Sequence, residues 1–246
     1  MRPKIVSFLA GFLLLFFIYH FPEFFTAFWI MAVFKIGFLL VAFVTGRLQG
    51  WKGLEGFGLG WRMGWWQQLL KGLLLGLLFF GVAEGLAVAF GYEKFNGIVA
   101  ADIILKQLPL ILLMTFFPSI AEDILTRGYL YGHLFSKMKP WHWVLLSAVV
   151  YVLNHIWRLT ENPSVLVYLF ILGLVLAFTV WKTKALWLAL GIHWGANIAF
   201  ESTHSILQTE STVSHHGSTW ILAVVWLLLF LVLLLGRTGS PALRKV

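Results

Sequence analysis

The stretch QLPLILLMTFFPSIAEDILTRG, residues 107–128, decides how this chain is read. Its first fourteen residues carry no charge, and then Glu122, Asp123 and Arg127 follow within six positions. About 20 predominantly apolar residues cross the hydrocarbon core of a bilayer. An ionisable group left unpaired there is costly, so such groups are paired or functional. The segment therefore reads as a membrane helix that ends in a polar site.

Composition extends this reading to the whole chain. Of 246 residues, 60% are hydrophobic, 17% aromatic and only 11% charged, with a mean hydropathy of +0.88. A soluble domain is roughly 25% charged, and so few polar groups cannot cover a globular surface. There is no cysteine, which excludes disulfides, thiolate metal sites and a cysteine nucleophile. The net charge of +8 does not point to nucleic acid, because the basic residues are scattered between apolar runs rather than gathered on one face.

Charge-poor runs fall at roughly 5–21, 25–46, 64–90, 107–127, 141–157, 163–181, 185–203 and 218–236. The expected fold is all-α: a polytopic bundle of about eight transmembrane helices, one integral-membrane domain over 1–246. MRPK precedes an apolar run as in a signal peptide, but YHFPEFF follows instead of a small-residue cleavage site, so the first run is kept as a span. With the N-terminus cytoplasmic, Arg2, Lys4, Arg47, Lys52, Arg62, Lys137, Lys139, Lys182, Lys184, Arg237, Arg244 and Lys245 lie inside, and only Lys94, Lys106 and Arg158 outside. Twelve against three is a strong positive-inside bias. It supports eight spans with both termini cytoplasmic, and fits a bacterial plasma membrane. Residues 237–246 read as a short, basic, disordered cytoplasmic tail. The Trp- and Gly-rich stretch from Trp51 reads as an interfacial loop and short amphipathic helix leading into the third span. QTESTVSHHGS reads as a polar extracytoplasmic loop, with His215 and His216 solvated rather than binding metal.

The ionisable residues that stand out inside spans are Lys35, Glu84, Glu122, Asp123, Arg127, His155 and His193, with Asn154 and Asn197 as polar companions. Lys35 and Glu84 lie in the outer halves of consecutive spans and are expected to pair or snorkel in a structural role. The others come at i,i+4 spacing. Asp123 and Arg127 can form an ion pair along one helix. Tyr151 and His155 share a face, as do His193 and Asn197. Glu122 sits about 100° around the helix from Asp123 and is free for another partner. A single intramembrane His or Asp–Arg pair is ordinarily packing. Here three clusters hold a spare carboxylate and two imidazoles. Carboxylate plus imidazole can deprotonate water, and imidazole plus carboxamide can donate to an oxyanion. These are the parts of a peptide hydrolase without a Ser or Cys nucleophile.

Glu122-Asp123-Ile-Leu-Thr-Arg127, Tyr151-Val-Leu-Asn-His155 and His193-Trp-Gly-Ala-Asn197 resemble the EExxxR, FxxxH and HxxxN motifs of the CAAX protease and bacteriocin-processing (CPBP, or Abi) family of intramembrane proteases. The resemblance covers a motif-bearing core of about 107–200. It implies glutamate-dependent hydrolysis of a peptide or lipidated protein held in the lipid bilayer. Glu122 and His155 would activate water, His193 and Asn197 would stabilise the oxyanion, and Asp123, Arg127 and Tyr151 would support them. In the prenyl-protein endopeptidases of that family, a lipidated CAAX terminus is trimmed at the cytoplasmic side. Asp123 stands where the family usually has Glu, and Tyr151 where it has Phe. Neither change removes a group assigned to the chemistry.

No cofactor is expected, although Glu122, His155 and His193 would suit a two-His, one-carboxylate zinc site if they converged. Two other functions stay open: a non-catalytic membrane protein for bacteriocin self-immunity or partner binding, and a proton-coupled transporter. No internal repeat of the kind many transporters use is evident.

Overall fold

The computed structural model describes residues 2–212 and 216–236. Eight long helices are present: α1 (Arg2–His20), α2 (Phe28–Leu48), α3 (Trp65–Ala89), α4 (Ala101–Asp123), α6 (Pro140–Asn154), α7 (Pro163–Thr183), α8 (Trp187–Ser205) and α9 (Gly217–Leu235). A short α5 (Tyr129–Leu134) continues α4 after one wide turn. The all-α bundle expected from the sequence is what forms. His215 and the tail 237–246 lie outside the described residues.

Among the described residues, six segments are long and apolar enough to cross a membrane: α1, α2, α3, α4 with its continuation, α7 and α9. Their outward faces carry exposed large apolar side chains such as Leu13, Val33, Leu74 and Leu228, as lipid-facing helices require. The chain is an integral, multi-pass membrane protein. The two long helices outside that set, α6 and α8, are the carriers of the second and third motifs. With 15 residues, α6 spans about 22 Å, short of the roughly 30 Å hydrocarbon core. It stops at Asn154, so His155 lies within the bundle and not beyond it. The apolar run of α8 is interrupted by His193, Asn197 and Glu201. It is packed among α3, α4 and α7, where protein can satisfy its polar groups.

The position of α8 is fixed by its contact with α3. A Cβ added at Gly72 or Gly76 of α3 would collide with the Leu188 or Ile192 carbonyl of α8. One added at Gly191 or Gly195 would collide with the Leu69 or Leu73 carbonyl in return. Both helices thus present small-xxx-small faces, which let backbones approach closely where lipid supplies no hydrophobic drive. His193 is carried between the two glycines of α8.

Connections gather at two ends. At one, the α2–α3 connection meets the α7–α8 junction, with Leu186 N–H donating to the Gly58 carbonyl at 2.9 Å. Gln49 also meets His133 there, at 2.9 Å. The α2–α3 connection is not the amphipathic helix expected. It forms a short 3-10 turn at Gly53–Phe57, because Gly50, Gly53, Gly58 and Gly64 all take positive φ, which breaks helical continuity. Phe57 and Leu59 are buried in the bundle. At the other end, β1 (Glu93–Phe95) pairs antiparallel with β2 (Thr209–Ser211), joining the α3–α4 and α8–α9 connections. Trp157 there donates to Glu23 Oε2 at 3.0 Å, tying the α6–α7 connection to the α1–α2 turn.

Lys35 and Glu84 do not pair. α2 packs on α1 and α4, whereas α3 packs on α8 and α9, so these two consecutive spans are not neighbours. The Lys35 ammonium donates to the Tyr19 carbonyl at 2.9 Å and to Glu23 Oε1 at 3.2 Å. It is buried rather than snorkelling. Glu84 instead lines a cavity.

Candidate active site

Glu122 and Asp123 are the last residues of α4 and are buried. Residues Ile124–Gly128 then form a single π-helical turn, a local widening that recurs at functional sites. Ser147 of α6 donates to the Thr126 carbonyl at 3.2 Å, and Thr126 donates back to the Glu122 carbonyl at 2.8 Å. Both bonds fasten the wide turn. Across it, Arg127 forms the expected ion pair with Asp123, and its guanidinium lies 4.7 Å from the Tyr151 ring centroid.

Glu122 faces the other way, toward α6 and α8. Its Oε1 accepts from Asn154 Nδ2 at 3.2 Å and lies 3.5 Å from His155 Nε2. Its Oε2 lies 3.6 Å from His193 Nε2. Each imidazole is anchored through its other nitrogen. His155 Nδ1 is 2.8 Å from the Tyr151 carbonyl, an acceptor, so Nδ1 carries the proton. His193 Nδ1 is 2.9 Å from Asp123 Oδ1 and donates to that carboxylate. Both rings therefore turn Nε2 toward Glu122, at separations beyond a good direct hydrogen bond. A water beside them can reach the carboxylate and either imidazole at once. His155 is the first residue past the end of α6 and not part of the helix; its ring still meets Tyr151 edge-on, centroids 4.8 Å apart.

Asn197, one turn along α8, donates to Ser119 Oγ at 3.0 Å, and Ser119 is anchored to the Thr115 carbonyl at 2.7 Å. Glu122, His155, His193 and Asn197 all line a cavity of about 600 Å³ walled by α3, α7, α8 and α9. All the candidates named from the sequence meet here: five on the cavity, Tyr151 among them, with Asp123 and Arg127 around them.

Sequence reasoning misses what lies behind Glu122. Asn154 Oδ1 is 3.1 Å from His20 Nε2, and His20 Nδ1 is 2.6 Å from Glu23 Oε2. Glu23 in turn holds Lys35. A buried polar chain thus runs from the α1–α2 turn to the carboxylate. The signal for it is His20 and Glu23 spaced i,i+3 around Pro22 at a span end. Asp123 also has a second task, since it orients His193 as well as pairing with Arg127.

The zinc alternative fits this arrangement poorly. Glu122 addresses the two imidazoles through different oxygens, and Oε1 is already engaged by Asn154. Among the described residues, no group of three or more His, Asp or Glu side chains has the geometry of a metal site.

Residues 104–199 match the family described as type II CAAX prenyl endopeptidase Rce1-like, a span that holds all three motifs. The resemblance to the CAAX protease family stands. The match covers less than half of the chain, and over that core the chain is similar to CAAX-type intramembrane proteases. No curated protein matches the chain at a significant level.

Proposed function

We propose that this protein is an intramembrane endopeptidase that hydrolyses a peptide bond near the C-terminus of a lipidated or membrane-bound peptide, with Glu122 as the base. The observation that carries the reading is the convergence of one carboxylate and two anchored imidazoles on a cavity, with separations that leave room for water.

The peptide carbonyl enters beside His193 and Asn197, and water sits against Glu122 and His155. Glu122 takes one water proton as the oxygen attacks the carbonyl carbon, while His155 Nε2 accepts from the other water hydrogen and holds the nucleophile in line. The resulting oxyanion receives hydrogen bonds from Asn197 Nδ2 and His193 Nε2. Since Asp123 already takes Nδ1–H, His193 donates from Nε2 only as the imidazolium, and the flanking carboxylates supply counter-charge for that state. Glu122 then passes its proton to the amide nitrogen, the C–N bond breaks, and the acid so formed gives its remaining proton to the amine, so that a carboxylate and an ammonium leave. Arg127 holds Asp123 in place. The route uses no metal.

The test is Glu122→Gln in purified, reconstituted protein. The amide keeps the shape and can still accept from Asn154, so folding is retained while cleavage of a panel of lipidated and unlipidated tailed peptides falls by about a thousandfold or more. Cleavage that survives stringent chelation, with no stoichiometric zinc, is expected. Full biological activity in a folded Glu122→Gln variant would instead mark a non-catalytic partner or immunity role, and zinc-specific rescue after chelation would replace the metal-free route.

A further inference from the structure

The cavity is a one-ended feature of the bundle. Its wall consists of Phe80 to Ala87 in the C-terminal half of α3, Tyr168 to Leu172 near the start of α7, Ala196 to His204 in the C-terminal half of α8, and Ser218 to Trp226 at the start of α9. Its rim is formed by Glu93 and Thr209 of the paired strands, and by Arg158 and Glu161 after α6. All of these lie at the end that holds the β1–β2 pair and the α1–α2 turn. None comes from the connections at the opposite end.

Those two ends differ sharply in charge. At the end away from the cavity, Arg47, Lys52 and Arg62 come from the α2–α3 connection, Lys137 and Lys139 precede α6, and Lys182 and Lys184 precede α8. Glu55 is the one acidic residue there among those described. At the cavity end, the basic residues of the connections and helix starts are Lys94, Lys106 and Arg158, set among Glu23, Glu93, Asp102, Glu161, Glu201 and Glu210. Lys and Arg in short loops are retained on the cytoplasmic side. That rule puts the basic end in the cytoplasm and the mouth across the membrane from it.

We propose that the site is loaded from the extracytoplasmic face, so that its substrates are peptides exported to, or anchored in, the outer leaflet. This rests on the hydrolase reading for what happens in the cavity, but its sidedness stands on geometry and charge alone. It is opposite to the cytoplasmic trimming that the resemblance implies. A mouth of this kind also suits a substrate with basic residues, which the rim carboxylates would not repel.

The absence of native cysteine makes the experiment direct. Single substitutions Ser218→Cys on the cavity wall and Glu210→Cys beside it are compared with Ser136→Cys at the basic end, in intact cells carrying the full chain. A membrane-impermeant maleimide is expected to label the first two in intact cells and Ser136→Cys only after permeabilisation. The reverse pattern overturns the proposal, and Glu210→Cys, well exposed, guards against slow labelling inside the cavity. In parallel, a tailed peptide is added outside sealed right-side-out or inverted vesicles of the unsubstituted protein. Cleavage is expected only in the right-side-out preparation, and cleavage only in inverted vesicles overturns the proposal. Cleavage in neither, with outside labelling at Ser218→Cys, would remove the hydrolase reading while leaving the sidedness intact.

Discussion

Two buried polar clusters sit side by side in this bundle, and they differ in how completely they are closed. In the amino-terminal one, His20, Glu23 and Lys35 answer each other at 2.6 and 3.2 Å. Lys35 adds the Tyr19 carbonyl and lies 3.3 Å from the Tyr19 ring centroid. In the motif cluster, Glu122 holds its imidazoles at 3.5 and 3.6 Å and looks onto a cavity. Both meet the demand that charge in a membrane be compensated. Only the second leaves lone pairs pointing at space a substrate can enter. An ionisable residue in a span is thus a weak marker by itself, and incomplete closure in front of a cavity is the stronger one.

The contrast is broken most severely by His193→Ala. If the open cluster is catalytic, kcat falls by about a hundredfold to a thousandfold, the scale of losing one oxyanion donor. Thermal unfolding in detergent shifts little, because Asp123 keeps Arg127. An equal loss of stability and rate would reduce His193 to a packing group. The closed cluster should show the opposite pattern. Lys35→Met keeps the stem but removes the charge that faces Glu23. It is expected to cost about 1–3 kcal/mol of stability, less than an isolated buried pair because His20 and Trp157 still donate to Glu23. Measured per folded molecule, kcat should stay within about twofold of the parent, since Lys35 contacts no group on the cavity. A large fall in kcat at unchanged stability would dissolve the distinction between the clusters.

Periodicity and charge make the open cluster legible in the amino-acid sequence. Glu122, His155, His193 and Asn197 are each rare residue types in an apolar run, and i,i+4 spacing already sets which of them share a helix face. The count of eight helices follows from the same runs. Which helices touch is beyond the reach of such patterns. Pairing Lys35 with Glu84 assumes that consecutive spans are neighbours, yet α2 packs on α1 and α4. The Gly72/Gly76 and Gly191/Gly195 faces that bind α3 to α8 lie more than a hundred residues apart, so no local pattern joins them. The wide turn at Ile124–Gly128 and the early stop of α6 at Asn154 are also tertiary results. The first is pinned by Ser147 from another helix, and the second is capped by the His155 ring on the Tyr151 carbonyl.

Asn154 is where the two clusters meet, and its effect should be the smallest and most informative. It accepts from His20 and donates to Glu122 Oε1, so it is a positioning residue and not one that touches the substrate. Asn154→Ala leaves the base present but unsteadied on one oxygen, and frees His20 from its second partner. The expected result is about a tenfold fall in kcat, the scale of one hydrogen bond to a charged group, with KM nearly unchanged because no substrate contact is lost. His20→Ala removes the next link, and should reproduce part of that fall only while Asn154 is present. Combined with Asn154→Ala it should add nothing further to the rate loss, since both act through the same bond. If the two losses simply add, the amino-terminal cluster reaches Glu122 by some path other than Asn154. If neither variant changes kcat while both lower the melting temperature, the clusters are neighbours in the fold and independent in the chemistry.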